Sequence, residues 1–349
     1  MYLFGERVSS SIGRTIISGL AVIGFFYIAP VFINFANEEI FSNEFQNDSR
    51  KVMVYKLNGK EEEISVDLNE TFDEKDLLSD ILTLNDLETE SVRLSASTIS
   101  QLFEDTNYNL DDVRENKLVR PVALTWLPNE IKQIENTKKR KNLFIQIVLP
   151  LILEENNNIK LDRLKLFAII NKNNNTKLEK KWLNQKYKQY GVPSKDLSTL
   201  KIRMDEIPTS LAIAQAAKET GWGTSRFALE GNALFGQWTW SGEGLKPKDA
   251  EKNEGHKVMK FNVLQASVRA YQRNLNTHKS YREFREARAK LRDQGIELDS
   301  IILSEHLDKY AETGQQYVKT IQKIINQNNL KDFDDAKLLP SSKKLESLI

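Results

Sequence analysis

The chain has 349 residues and nearly balanced charge, with 50 Lys and Arg against 49 Asp and Glu, so no global field points to nucleic acid. It contains no cysteine, which excludes disulfides, thiolate nucleophiles and thiolate-bound zinc. Its three histidines, His256, His278 and His306, lack metal-ligand spacing, so neither a metal nor another cofactor is expected.

Residues 1–14 read as a short cytoplasmic tail. Thr15 to Ala36 follows without a charge, and about 22 residues at helical rise are enough to cross a hydrocarbon core. Arg7 and Arg14 precede this segment and Glu38 and Glu39 follow it, so the positive-inside rule puts the remainder of the chain outside. The expectation is a single-pass anchor in a bacterial inner membrane, with the rest in the periplasm or extracytoplasmic space. A cleaved signal peptide is the competing reading, but Asn34 and Phe35 make a poor approach to a cleavage site.

Residues 37–126 read as a small mixed α/β region of unknown role. Lys51 to Leu57 and Glu62 to Leu68 have the β-branched content of strands, and Asn58-Gly59 between them is a hairpin turn signal. Ser97 is placed to cap a short helix through Phe103. Val119 to Trp126 reads as a strand kept to an edge by Pro121.

From Ile131 the pattern turns helical. The basic run Lys138-Lys139-Arg140-Lys141 opens an apolar-periodic segment and reads as a solvated helix start rather than a nucleic-acid site. Leu143, Phe144, Ile147, Val148, Leu151 and Ile152 keep helical spacing, with Pro150 predicting a kink or break. Another helix around Leu178 and Trp182 closes at Gly191 and Pro193. Leu264, Val268, Tyr271 and Leu275 form one stripe of a helix starting near Asn262, and two or three helices follow between Tyr281 and Asn328. Between them, the polar stretch Ser241 to Gly255 and the alternating Lys257 to Phe261 predict a small β-hairpin lobe inserted in a helical domain. The tail from Lys331 reads as flexible.

Chemistry concentrates at Thr209 to Trp222, an alanine-rich helix that Thr209 or Ser210 can cap and Gly221 can end. Glu219 falls in its last turn, where the negative end of the helix dipole disfavours an ionised carboxylate. Its neighbours at helical spacing are Leu211, Ala212, Gln215, Ala216 and Trp222, so it borders the apolar face, and partial burial would raise its pKa further. Such a glutamate is a candidate general acid. A plain glutamate ending an exposed helix is the other reading of the same residues.

The string AQAAKETGWGTSRF (residues 214–227), followed by GNALFGQW (residues 231–238), resembles the signature of the family 73 glucosaminidases, which cut bacterial cell-wall glycan. It looks most like that family's Bax-type branch. Arg140 to Phe144, Leu149 to Ile152 and Ser267 to His278 extend the likeness, which runs from about Leu127 to about Asn326.

The resemblance implies a lysozyme-like, mainly helical catalytic domain over residues 127–330, with Glu219 on the floor of a groove beside the β-lobe. Its substrate would be the β-1,4-linked glycan of peptidoglycan, with Glu219 protonating the glycosidic oxygen. Aromatic side chains suit the C–H faces of sugar rings and amides suit their hydroxyl edges. Trp222, Asn232, Phe235, Gln237, Trp238, Trp240 and Tyr271 are therefore candidate glycan contacts. Packing in the core is the alternative for Phe235 and Trp238, and for Tyr271, whose place on the apolar stripe favours it.

An inverting enzyme needs a second carboxylate roughly 6.5–9.5 Å from the first to activate water, and a retaining one needs it nearer. Asp249 and Glu251 on the expected lobe are the first candidates, ahead of Glu254 and Glu243. Attack by the substrate's own acetamido group needs no second carboxylate. A lytic transglycosylase with a single glutamate, or a membrane-anchored scaffold that binds cell-wall glycan without cutting it, are the alternative functions.

Overall fold

The structure, a computed structural model, describes residues 52–57, 60–65, 74–85, 92–239, 244–245 and 257–340. The expected anchor at Thr15–Ala36 lies outside them, as do Trp240, Asp249 and Glu251. Among the described residues no helix is long and apolar enough to cross a membrane.

The chain divides into two units, Met1–Thr71 and Phe72–Ile349. In the first, β1 (Val52–Leu57) pairs antiparallel with β2 (Lys60–Ser65), closing at Leu57↔Lys60 on either side of the Asn58-Gly59 signal. The second strand starts two residues earlier than the sequence pattern suggests.

The second unit is mainly helical. It begins with α1 (Glu74–Asn85), α2 (Ala96–Asp105), α3 (Leu110–Asn116) and the two-residue strand β3 (Leu118–Val119). Ser95, not Ser97, caps α2, its hydroxyl accepting from the Thr98 N–H at 3.1 Å. The strand expected through Trp126 stops at Val119, two residues before the ring of Pro121, which has no N–H for a ladder.

A single-turn 3-10 helix (Asn129–Gln133) leads to α4 (Thr137–Ile170), capped by Asn136. The basic run sits in the first turns of α4 with partners of its own: Arg140 donates to the Ile134 carbonyl and Lys141 to the Asn328 side chain. The break expected at Pro150 does not occur, for a local reason. Proline removes the N–H that would bond the carbonyl four residues back, that of Gln146. The Tyr108 hydroxyl donates to that carbonyl at 3.1 Å, while the Gln146 side chain donates to the Tyr108 carbonyl at 2.7 Å. The helix continues because another residue supplies the missing donor.

There follow α5 (Lys177–Gln189), α6 (Leu197–Arg203), α7 (Thr209–Thr220) and α8 (Arg226–Gly231). Strands β4 (Trp238–Thr239), β5 (Gly244–Leu245) and β6 (Lys257–Met259) make an antiparallel sheet in the order β4-β6-β5, with β6 at its centre. The lobe is therefore three-stranded rather than a simple hairpin. Helices α9 (Leu264–Thr277), α10 (Arg282–Asp293), α11 (Ser300–Ser304) and α12 (Gln315–Gln327) and the short strand β7 (Lys337–Leu338) complete the unit.

Helix α7 is the axis of the core. Every residue from Thr209 to Ala217 is buried, as expected of a helix packed on all sides. Its alanines let α4, α12 and the 3-10 turn Leu330–Phe333 come close. The boundaries expected at Leu127 and Leu330 do not coincide with gaps in this packing. Ile99, Phe103, Tyr108, Val113 and Val119 before it, and Phe333 and Ala336 after it, join the same apolar cluster. β3 also pairs with β7, so the described part of the tail is held rather than loose. A satellite cluster of Leu166, Tyr187, Tyr190, Val192, Leu200 and Met204 joins α4, α5 and α6.

Candidate active site

The α7 helix ends as its sequence predicts. Gly221 takes the left-handed conformation, φ 57° and ψ 44°, leaving Glu219 in the last turn. Its start differs. Neither Thr209 nor Ser210 caps it; Pro208 occupies the cap position without a side-chain bond. Asp334 reaches over from the far end of the chain instead, accepting from the Ser210 N–H at 2.7 Å and the Ser210 hydroxyl at 2.8 Å.

The turn after α7 is tightly wound. Trp222, a bulky residue, sits at φ +61°, a strained conformation that costs on the order of 1–3 kcal/mol and persists only when its surroundings impose it. Its N–H donates to the Ala217 carbonyl at 2.9 Å, and the next N–H, of Gly223, donates to the Thr220 hydroxyl at 2.8 Å. The Trp222 ring meets Phe144 edge-on at 5.9 Å and lies 4.7 Å beneath the Lys141 ammonium. Packing against α4 thus accounts for much of this ring.

Glu219 lies in a ring of tyrosines. The Tyr317 hydroxyl of α12 lies near its carboxyl and favours the ionised form. The Tyr317 hydroxyl accepts from the Gln215 amide at 3.0 Å, and the Gln215 carbonyl oxygen accepts from the Tyr271 hydroxyl at 2.6 Å. Gln215 precedes Glu219 by one helical turn and so stands on the same face. The hydroxyls of Tyr271, Tyr281, Tyr310 and Tyr317 all have pKa values raised by burial, so all stay neutral.

Gly236 passes directly over the acid. At φ +61°, a side chain there would put a Cβ only 3.4 Å from Glu219 Oε2. The left-handed backbone is what calls for glycine here, since 3.4 Å is an ordinary van der Waals contact. The loop is tied down by the Tyr310 hydroxyl, which donates to the Phe235 carbonyl at 3.1 Å. Burial holds the Glu219 pKa above the ordinary value, and the Tyr317 hydroxyl and the Lys218 charge oppose that only in part.

The amide and aromatic candidates separate clearly. Phe235 is 2 % exposed and stacks on Tyr271 at 3.8 Å and 8°, so it is core rather than groove lining. Tyr271 is fully buried and its hydroxyl serves Gln215. Asn232 is a correction: it ends α8 at φ 51°, fully buried, its amide donating to the Thr125 and Phe261 carbonyls at 3.2 Å. Its side chain ties loops together and does not reach a sugar. Gln237 is partly exposed, and its carbonyl accepts from the Met259 N–H at 2.7 Å, linking the acid's loop to the β-sheet. Trp238 pairs with Val258 through the backbone. Among the described residues no acidic or histidine cluster fit for a metal occurs.

Sequence reasoning missed Tyr281, Tyr310 and Tyr317. The available signal was weak: Tyr317 shares an apolar stripe with Val318, Ile321 and Ile325, and a buried tyrosine hydroxyl needs a partner.

The sequence profile of the glucosaminidases, described as mannosyl-glycoprotein endo-beta-N-acetylglucosaminidase, matches residues 197–330. That span runs from α6 through the acid, its tyrosines and α12. Over 194 residues the chain is 31% identical to Protein bax of Escherichia coli (strain K12), covering 54% of this chain and 69% of the relative. The chain belongs to the glucosaminidase family. This glucosaminidase is accordingly a glycoside hydrolase. A structural comparison pairs it with the catalytic domain of the autolysin Auto from Listeria monocytogenes, at 19% identity and a TM-score of 0.27, over 50% of this chain and 97% of that one.

Proposed function

We propose that this glucosaminidase is a peptidoglycan hydrolase, an endo-β-N-acetylglucosaminidase that cuts β-1,4 bonds of cell-wall glycan with Glu219 as general acid. The observation that supports it most is the burial-raised pKa of Glu219 at the end of α7, under Gly236 and beside Tyr317. A carboxyl with a raised pKa keeps its proton at a higher pH, ready for the glycosidic oxygen as oxocarbenium character develops. Tyr317 then donates to the carboxylate left behind, held in place by the Gln215–Tyr271 pair. The cell-wall substrate comes from the family resemblance, and with it a lysozyme-like groove between the helices and the β-lobe.

For the second step, Asp249 or Glu251 would activate water or attack the sugar carbon. Both lie outside the described residues. A single-acid route, either acetamido participation or a transglycosylase, is the alternative. Mass spectrometry of products from purified peptidoglycan separates hydrolysis from transglycosylation. A reducing N-acetylglucosamine end supports the hydrolase, an anhydro-sugar end the transglycosylase, and no product the binding scaffold. Loss of product in Glu219→Gln, with folding retained, ties the reaction to this acid.

The proposal places the enzyme on the outer side of a bacterial inner membrane, held by Thr15–Ala36. Protease added to spheroplasts should then digest the catalytic unit, and protection of that unit would refute the orientation.

A further inference from the structure

Residues 164–188 carry seven lysines against one carboxylate, Glu179, in a chain whose formal charge totals only +1. They span the end of α4, the turn after it and most of α5, ahead of the 197–330 stretch that matches the glucosaminidase profile. The two helices form a hairpin. Leu166 of α4 and Tyr187 of α5 share the satellite cluster on its inner side. Asp162 of α4 pairs with Lys186 of α5, and the Lys165 ammonium lies 4.8 Å from the centre of the Trp182 ring.

The one carboxylate does little to offset the lysines around it. Glu179 accepts from the Thr176 N–H at 2.8 Å, and the Thr176 hydroxyl accepts from the Glu179 N–H at 3.2 Å. That reciprocal pair starts α5, and Lys172 is the cation that bonds the carboxylate. Lys177, Lys180 and Lys181 are exposed and have no ion pair among the described residues. Lys177 and Lys181, four residues apart, share one face of α5.

Apolar side chains stand bare among these charges. Leu178 is 79 % exposed, and Leu164 and Ile170 on α4 are 62 % and 37 % exposed. One such residue is ordinary on a protein surface. Several on one hairpin, set among lysines, are the composition of a helix that lies against a lipid interface.

We propose that the outer face of the α4–α5 hairpin docks on anionic phospholipid headgroups. Charge complementarity supplies the attraction, and Leu178, Leu164 and Ile170 reach the boundary between headgroup and acyl chain. The choice of cation fits a fluid partner. Residues 164–188 contain no arginine, the side chain that reads a fixed phosphate through two parallel bonds. Lysine is a point charge on a flexible stem and follows headgroups that move. A nucleic acid or another soluble polyanion would satisfy the lysines and leave the apolar side chains in water. The proposal is independent of the role given to Glu219.

Hydrogen-exchange mass spectrometry of the full chain tests it. One arm holds phosphatidylcholine vesicles, a second an equal mixture of phosphatidylcholine and phosphatidylglycerol, and a third polythymidine without lipid. Exchange in peptides from residues 164–188 should slow several-fold with the mixed vesicles alone, and less so as salt is raised. Attachment of the chain elsewhere on a vesicle is common to both lipid arms and cancels in their comparison. Lys177→Glu, Lys180→Glu and Lys181→Glu together should abolish the slowing. Acidic side chains suit the first turns of α5, so the helix survives the reversal, and hydrolysis of purified peptidoglycan should be unchanged. Leu178→Ser, at an exposed position, should weaken the slowing at constant charge. Equal slowing by both kinds of vesicle, slowing by polythymidine as strong as by the mixed vesicles, or slowing that survives either set of substitutions would overturn the proposal.

Discussion

The two ends of α7 each meet a partly buried carboxyl, and they use it differently. At the amino end Asp334 accepts two hydrogen bonds from Ser210, the arrangement a helix dipole favours. At the carboxyl end Glu219 faces the unfavourable pole, with the Tyr317 hydroxyl beside it. Dipole reasoning alone predicts a lowered pKa at the first end and a raised one at the second. Both are raised, Asp334 to about 6, and burial is the largest cause in each case. Burial decides when each group ionises; position decides what the ionisable proton is for. Asp334 is spent on the helix it caps, whereas Glu219 stands beneath Gly236 with its proton available.

The largest effect should come from Glu219. Glu219→Gln keeps the shape and the Tyr317 contact but has no transferable proton, so kcat should fall by roughly two to four orders of magnitude. Tm at neutral pH should hold or rise, because a carboxylate that is costly to ionise has been removed. Turnover within a few-fold of wild type in a folded variant would end the assignment.

Asp334 should matter for stability instead. Asp334→Ala leaves the Ser210 N–H without its partner and should cost about 1–2 kcal/mol while hydrolysis by the folded fraction persists. Its titration gives a sharper signature. A folded pKa of about 6 against an ordinary 3.8 means that the unfolded chain releases this proton first as pH rises. The contribution to stability is therefore complete below about pH 4 and is lost by about pH 6, by at most about 3 kcal/mol. Denaturation midpoints measured from pH 4 to 7 should fall in wild type and flatten in Asp334→Asn. Equal slopes in the two proteins would show that Asp334 does not titrate in this window.

Tyr317→Phe sharpens the other end. The hydroxyl near the Glu219 carboxyl favours its ionised form, pulling the pKa down against burial. Removing it should raise that pKa further and move the alkaline limb of the pH–activity profile upward, with kcat reduced. A limb that moves down, or does not move, would mean that Tyr317 only fills space.

The acid end was legible in the sequence because its determinants are local. The alanine-rich helix, the glycine that stops it and the glutamate one turn back all lie within Thr209–Gly221, and the α9 stripe from Leu264 to Leu275 was equally readable. What failed was non-local. Asp334 caps Ser210 from a tail read as loose, and Tyr108 supplies the donor that keeps α4 continuous through Pro150. Tyr317 reaches the acid from a helix whose spacing signals only core. Each is a polar group meeting a distant backbone or side-chain partner, and periodicity carries no record of such a meeting. Asn232 and Phe235 show a related limit: amides and aromatics suit a sugar and a core equally well, and only burial separates them.

The smallest effect tests whether the two ends are independent. Ser210→Ala removes one of the two bonds to Asp334 and keeps the backbone N–H donor, so it should cost about 1 kcal/mol. The lost hydroxyl donation had favoured the ionised Asp334, so the pKa of that group should rise. The fall in stability should then continue to higher pH in the variant than in wild type. Glu219 lies more than two helical turns away, and among the described residues its pKa responds to Tyr317 and Lys218. The alkaline limb of hydrolysis should therefore stay where it is in wild type. A limb that moved with Ser210→Ala would show that α7 couples its ends, so that the cap Asp334 provides helps to set the protonation of the acid.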